Sequence, residues 1–339
     1  MRTGKPAFTY VLKKVIPWVV TLLLVAYLGY TTDLETAWDA LAEVNLLALF
    51  AVALVGTMAT YLTDTISVSQ VFNRFVCPIS YRETLPIKAT SYILNVLNYN
   101  VALVGMAFYL QRSKGAPFWR ALGSLFFLNF VDILGLSILL TIGLLMTGST
   151  DAISPPLQLV AWTLVAGGVG GFSFLVLVCR MNWKIPLIGR LFKLELLAPL
   201  AEVDLPTLVR FLAVRICLLL QYLVSQYLFL RIFGIEIPIS RMLVYVPLLT
   251  FVQIIPITIS GLGTVQVVMR HFYSRYVIAA IRKPAAIIDA FSIASLLSFL
   301  VLRVIVAYMF LGEFSREVIK TAKDSVDQSD SGNPEPASE

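Results

Sequence analysis

The sequence predicts an all-α polytopic membrane protein with about six full spans and two re-entrant helical hairpins, laid out as an inverted-topology repeat. Three observations predict it. The 339 residues are 58% hydrophobic and only 14% charged, with a mean hydropathy of +0.85, more apolar surface than a soluble domain of this length needs. Apolar runs of spanning length follow one another near 15–31, 46–71, 118–146, 156–179, 208–233 and 286–311. Two further apolar stretches, 85–110 and 241–281, are interrupted by polar residues, glycine or proline. A β-barrel would show short alternating segments instead.

The elements follow in order. The start, "MRTGKPAFTYVLKKVIPWVVTLLLVAYLGYTTD", has the basic head and apolar core of a signal peptide. Tyr27 to Tyr30 stand where small cleavage-site residues would be, so it reads as an uncleaved first span. Arg2, Lys5, Lys13 and Lys14 precede this span, and Asp33, Glu35, Asp39 and Glu43 follow it without a base. That asymmetry puts the N-terminus inside. The second span returns to Arg74, Arg82 and Lys88.

If 85–110 crossed fully, the basic loop with Arg112, Lys114 and Arg120 would lie outside. A break near "NVLNYN", at Asn95, Asn98 and Asn100, turns the chain back and keeps that loop inside. Non-helical backbone at membrane depth is tolerated where protein or water surrounds it. The span 118–146 then goes out to a loop with Asp151, and 156–179 returns to Arg180, Lys184, Arg190 and Lys193. The mixed segment 187–207 suits the inner interface. After the outward span 208–233, the stretch 241–281 enters from outside, breaks at "ITISGLGTVQ", and goes back. This leaves Arg275, Arg282 and Lys283 outside, against the positive-inside trend. The span 286–311 ends inside. The expected organisation is a first repeat over 1–151, a second over 152–314, and a disordered cytoplasmic tail over 315–339.

Each half thus reads span, span, hairpin, span, with opposite starting sides. A shift of 158 residues lays "NVLNYNVALVGMAFYLQR" over "QIIPITISGLGTVQVVMR", matching Gly105 with Gly263 and Arg112 with Arg270.

Several chemistries lack support. Cys77, Cys179 and Cys217 form no pairable framework or metal spacing, and His271 is the single histidine. HExxH, CxxC and Walker A patterns are absent, and Gly261-Leu262-Gly263 lacks the third glycine of a dinucleotide fingerprint. No cofactor and no enzymatic role are expected. The net charge of +6 lies in loops between spans, which suits anionic lipid better than nucleic acid.

Two sets of residues carry the functional expectation. Half-helix ends expose unpaired N–H groups and partial positive charge that can hold an anionic headgroup. The candidate substrate-binding residues are Asn98, Asn100 and Gly105 in the first hairpin, with Pro256, Thr258, Ser260, Gly261, Gly263, Thr264 and Gln266 in the second. Glycine packing between helices is the competing reading. The second set is the charges inside apolar runs: Asp64, Asp132, Arg215 and Arg303. Such charges pair or line a polar cavity. Asp132 and Arg303 occupy equivalent last spans, which allows a cross-repeat ion pair. For Arg215 a place near the inner interface is the competing reading, and Arg112 and Arg270 are expected to snorkel to headgroups.

The second hairpin resembles the motif of the lysylphosphatidylglycerol synthase transmembrane family, or flippase-like proteins. Members carry a proline, a Gly-x-Gly-like turn and then an acidic residue. Here those positions are Pro256, Gly261, Gly263 and Gln266, with Gln266 in place of the acid. In the first hairpin Asn98 stands for the family's proline, Gly105 is kept and Arg112 begins the loop. The Asn129–Asp132 region resembles the family's polar patch. The large soluble aminoacyl-transfer domain of the full-length synthases has no counterpart in the sequence. The resemblance therefore implies lipid translocation rather than synthesis, in a bacterial cytoplasmic (inner) membrane with both termini cytoplasmic. The expected function is a flippase for a lipid or lipid-linked anionic headgroup, with membrane lipids as partners. The alternatives are a small-anion carrier, or a non-transporting scaffold for a lipid- or glycan-modifying enzyme.

Overall fold

The computed structural model describes residues 30, 34–97, 99–147, 154–181, 195–254, 263–278 and 284–331. The predicted first span and the residues Asn98, Pro256, Thr258, Ser260 and Gly261 lie outside the described residues. The described elements are helical: α1 (Leu34–Ala42), α2 (Leu46–Phe75), α3 (Tyr81–Leu97), α4 (Tyr99–Lys114), α5 (Phe118–Thr147), α6 (Pro155–Arg180), α7 (Ala198–Glu202), α8 (Leu205–Ile232), α9 (Ile239–Ile254), α10 (Thr264–Tyr273) and α11 (Pro284–Ser331). One isolated bridge pairs Ile235 with Val277.

Five helices are long and apolar enough to cross a membrane: α2, α5, α6, α8 and the Pro284–Phe310 part of α11. They carry exposed large apolar side chains along their length, such as Leu145, Leu159, Val224 and Val301, as a lipid-facing surface requires. The chain is a multi-pass α-helical membrane protein. Two differences from the sequence reading concern its flanks. The acidic loop after the predicted first span contains α1, an amphipathic turn pair with Ala37 and Ala40 buried and Trp38 exposed. The last helix continues to Ser331 through residues predicted as a disordered tail, since no proline interrupts it before Pro334.

Between the long helices lie two pairs of short ones. In the first pair, α3 packs against α4. It is started by a capping box: the Ser80 N–H donates to Glu83 Oε2 at 2.7 Å, and the Glu83 N–H donates to Ser80 Oγ at 3.2 Å. The helix ends within "NVLNYN", where the asparagines predicted a break. The pair is closed at its base by Lys114 Nζ on Glu83 Oε1 at 2.5 Å. Gly115 then ends α4 at φ +65°, and the Ala116 N–H reaches back to the Leu110 carbonyl at 3.4 Å. The second pair, α9 and α10, packs through Tyr245 stacked on Phe272 at 4.7 Å between ring centroids. Its base is tied by the backbone: Glu236 N–H donates to the Tyr276 carbonyl at 3.0 Å, and Ile278 N–H to the Gly234 carbonyl at 3.2 Å. The first arm of each pair contains a proline, Pro86 and Pro247.

The offset that aligns the hairpins in sequence also aligns the elements. The starts of α2 and α8, the starts of α3 and α9, and the ends of α4 and α10 are separated by 158 or 159 residues. The caps repeat as well. Cys77 N–H donates to the Phe72 carbonyl and Ile235 N–H to the Leu230 carbonyl, both at 2.9 Å and both six-to-one closures after a long helix.

The described residues fall into two compact units, drawn from 1–60, 133–171 and 216–300, and from 61–132, 172–215 and 301–339. The five long helices contribute residues to both. The pair α3–α4 belongs wholly to the second unit, and α9–α10 wholly to the first.

Candidate functional site

Four charged side chains meet near the middle of their helices in the second unit. Arg215 of α8 is the hub, its side chain 6% exposed. Its Nε donates to Asp132 Oδ1 of α5 at 2.5 Å, and its Nη2 bonds Asp132 Oδ2, a bidentate fork. Its Nη1 donates to Asp64 Oδ1 of α2 at 2.6 Å. The other Asp64 oxygen takes Lys88 Nζ of α3 at 2.5 Å. Two cations and two carboxylates thus neutralise one another. Buried charges persist in an apolar setting when every one is partnered and hydrogen-bonded, because desolvation is otherwise uncompensated.

The network adjoins the break of the first helix pair. Tyr99, the first residue of α4, donates from its hydroxyl to Asn129 Oδ1 at 2.5 Å. Asn129 lies on α5 one turn before Asp132, and Tyr99 is within electrostatic reach of Arg215, Asp132 and Asp64. On the other side, one turn along α3 from Lys88, the Tyr92 ring faces two cations. Lys88 Nζ is 5.7 Å and the Arg303 guanidinium carbon 5.5 Å from its centroid. The Tyr61 ring completes this wall at 6.0 Å.

The predicted buried charges are therefore largely brought together, with two corrections, to Asp132 and to Arg270, and one alternative decided, for Arg215. Asp132 pairs with Arg215 and not with Arg303, which sits instead over Tyr92. Arg215 is buried in the network rather than placed at an interface, because two carboxylates from neighbouring helices converge on it. Arg270 does not snorkel. Its Nε donates to Asp289 Oδ1 of α11 at 2.7 Å, its Nη2 bonds the second oxygen, and Asp289 is 3% exposed. Arg112 is exposed and covers the Phe108 ring, as a snorkelling residue does.

The hairpin candidates separate. Gly105 lets Leu94 of α3 pack against α4; a Cβ there would collide with the Leu94 side chain. Asn100 is exposed on the first turn of α4. Gly263 precedes α10 at φ 86° and ψ −52°, a conformation side chains resist. Its N–H donates to Gln266 Oε1 at 2.7 Å. Gln266 therefore caps α10, occupying one of the N–H groups an anion would otherwise use. Thr264 is the first residue of α10 and half-buried.

Sequence reasoning missed Lys88, Tyr92, Tyr99 and Asp289. Lys88 was assigned to the inside loop because it stands between the second span and the break. The capping box at Ser80 and Glu83 was the available sign that the helix starts earlier and carries Lys88 inward. Asp289 stands in the first turn of the last apolar run, 286–311, where a charge near the end of a span gives little signal of burial. A cavity of about 410 Å³ lies in the same unit between the end of α2 and the start of α8, lined by Gln70, Asn73, Arg74, Thr207, Arg210 and Phe211. None of these was predicted.

No curated protein and no solved structure matches the chain significantly. The sequence profile described as the lysylphosphatidylglycerol synthase TM region matches residues 14–302. That range takes in four of the five long helices and the first part of α11, both short-helix pairs and all four members of the network, and the chain belongs to this family.

Proposed function

We propose that this chain is a transporter rather than an enzyme, and that it moves a lipid or lipid-linked anionic headgroup between the leaflets of a bacterial cytoplasmic membrane. The observation that carries this reading is a broken helix pair set against a charge network midway along helices long enough to span. Neither feature is needed merely to hold apolar helices together. Both are expected where a polar group must be handled at membrane depth.

Family membership supports the reading. So does the repeated layout. Both ends of α3–α4 join long-helix ends of the second unit, and both ends of α9–α10 join long-helix ends of the first. This favours two re-entrant hairpins and an inverted repeat. In this reading the basic loops keep both termini cytoplasmic. The starts of α4 and α10 offer N–H groups to an anion, and movement of one repeat against the other exposes the site to each side in turn. The network supplies fixed charges that the headgroup exchanges against, while the lipid tails stay in the bilayer.

The test is a leaflet-exchange assay. The protein is reconstituted in liposomes carrying a fluorescent anionic phospholipid, and inner-leaflet label is followed by its accessibility to an impermeant quencher. The wild type is expected to accelerate exchange. Gly263→Leu, which forces a side chain into the left-handed region at an estimated cost of about 1–3 kcal/mol, is expected to stop it with helicity retained. Movement of soluble anions without lipid would instead indicate a small-anion carrier. Movement of neither, with a lipid- or glycan-modifying enzyme dependent on the chain, would indicate a scaffold.

A further inference from the structure

The four-membered network is closed, and it leaves one charge over. Arg303 of α11 is half-buried and, among the described residues, has no carboxylate partner; its guanidinium lies over the Tyr92 ring. Tyr92, whose ring it covers, is only 5% exposed, and its buried hydroxyl has no hydrogen-bond partner among the described residues. A guanidinium without a counter-ion and a phenol O–H without an acceptor are both costly at membrane depth, and a ring face satisfies the cation only in part. The nearby carboxylate, Asp64, is already shared between Lys88 and Arg215. One negatively charged oxygen group would satisfy both.

We propose that Arg303 and Tyr92 form an oxyanion subsite, in which a phosphate or carboxylate group pairs with the guanidinium and accepts the Tyr92 hydroxyl proton in a hydrogen bond. A neutral ligand would leave Arg303 uncompensated, and a cation would be repelled by Arg303 and by Lys88 on the same ring. The proposal rests on the transport reading for its biological role, but its chemistry does not. The anion is either the headgroup of a lipid or a free anion from solution.

The test measures binding and not transport. The full-length protein in neutral detergent micelles is titrated with short-chain phosphatidic acid, with inorganic phosphate, and with short-chain phosphatidylcholine as a zwitterionic control. Thermal stabilisation is the readout. Phosphatidic acid is expected to raise the melting temperature of the wild type saturably, and phosphatidylcholine is not. Tyr92→Phe, which removes only the hydroxyl, and Arg303→Gln are each expected to weaken the apparent affinity by roughly tenfold or more, as loss of a charge-assisted hydrogen bond does. Inorganic phosphate acting as strongly as phosphatidic acid, with the same sensitivity to both variants, upholds the subsite and makes a free anion its ligand. Wild-type affinity in both variants overturns it. Unchanged affinity in the variants together with lipid exchange by the wild type removes the subsite and leaves the flippase. Weakened affinity together with no lipid exchange does the reverse.

Discussion

At the base of α3–α4 the Lys114 ammonium meets the Glu83 carboxylate, whereas the base of α9–α10 is closed by backbone hydrogen bonds between residues 234–236 and 276–278. The contrast deepens inside. Around the first pair, Asp64, Lys88, Asp132 and Arg215 come from four different helices into one network. Around the second, an aromatic stack of Tyr245 and Phe272 fills the interior, and one ion pair joins Arg270 to Asp289. Matching element boundaries have been given unmatched chemistry. Element boundaries that match at one offset do not bring matching side-chain chemistry, so a residue's counterpart at that offset is a poor guide to its role.

The largest break in this comparison should come from Arg215→Leu. It strands Asp132 and leaves Asp64 with Lys88 alone, an expected loss of about 3–5 kcal/mol for an uncompensated buried charge. Denaturant titration in micelles would measure it. Arg270→Leu should cost at the lower end of that range, about 3 kcal/mol, since it takes the bidentate cation away from one buried carboxylate. Here the double variant Arg270→Leu with Asp289→Leu should recover part of the loss, because it leaves neither member of the pair as a buried charge without the other. The double variant Arg215→Leu with Asp132→Leu should likewise recover part of the loss, since it leaves Asp64 paired with Lys88, but Asp64 still loses its bond to Arg215.

Lys88→Met sharpens the contrast between network and pair. Asp64 keeps Arg215, so the expected loss is about 1.5–2 kcal/mol, one charged hydrogen bond. The smallest effect belongs to the base of the first pair. The hydrogen bond from Lys114, with those from Ser80, holds the Glu83 carboxyl down to about 2. A carboxyl lowered on folding stabilises the fold above its ordinary value near 4.5, and that contribution fades as pH falls from there toward 2. Thermal melts of Glu83→Gln should show a flatter pH dependence than the wild type over that window. Near neutral pH, Ser80→Ala should cost about 1 kcal/mol through the lost cap.

Much of the fold was legible because hydrophobic run length and charged loops are direct consequences of the bilayer. The five described spans and the first interruption fall where the apolar runs and the asparagines put them, while most of the second interruption lies outside the described residues. The buried charges Asp64, Asp132 and Arg215 were legible as a class, since a charge inside an apolar run must find a partner. Who pairs with whom was not, because it depends on helix rotation and neighbours, which spacing along one chain does not encode. Asp132 was matched to Arg303 by symmetry, and Arg215 took it instead because α8 lies beside both α2 and α5 in the second unit. Gln266 shows the reverse limit. A residue chosen for its place in a motif turned out to have its oxygen engaged by the Gly263 N–H.

The central claim is that the two helix pairs enter the membrane from opposite faces, and cysteine accessibility tests it most directly. In a chain with Cys77, Cys179 and Cys217 replaced, single cysteines are placed at the exposed positions Gly115, after α4, and Ile278, after α10. A membrane-impermeant thiol reagent is then applied to intact cells. The account predicts that position 278 labels at once and that position 115 labels only after permeabilisation. Labelling of position 115 from outside would mean that α3–α4 crosses the membrane, and the opposed hairpins, with the transport reading built on them, would be contradicted.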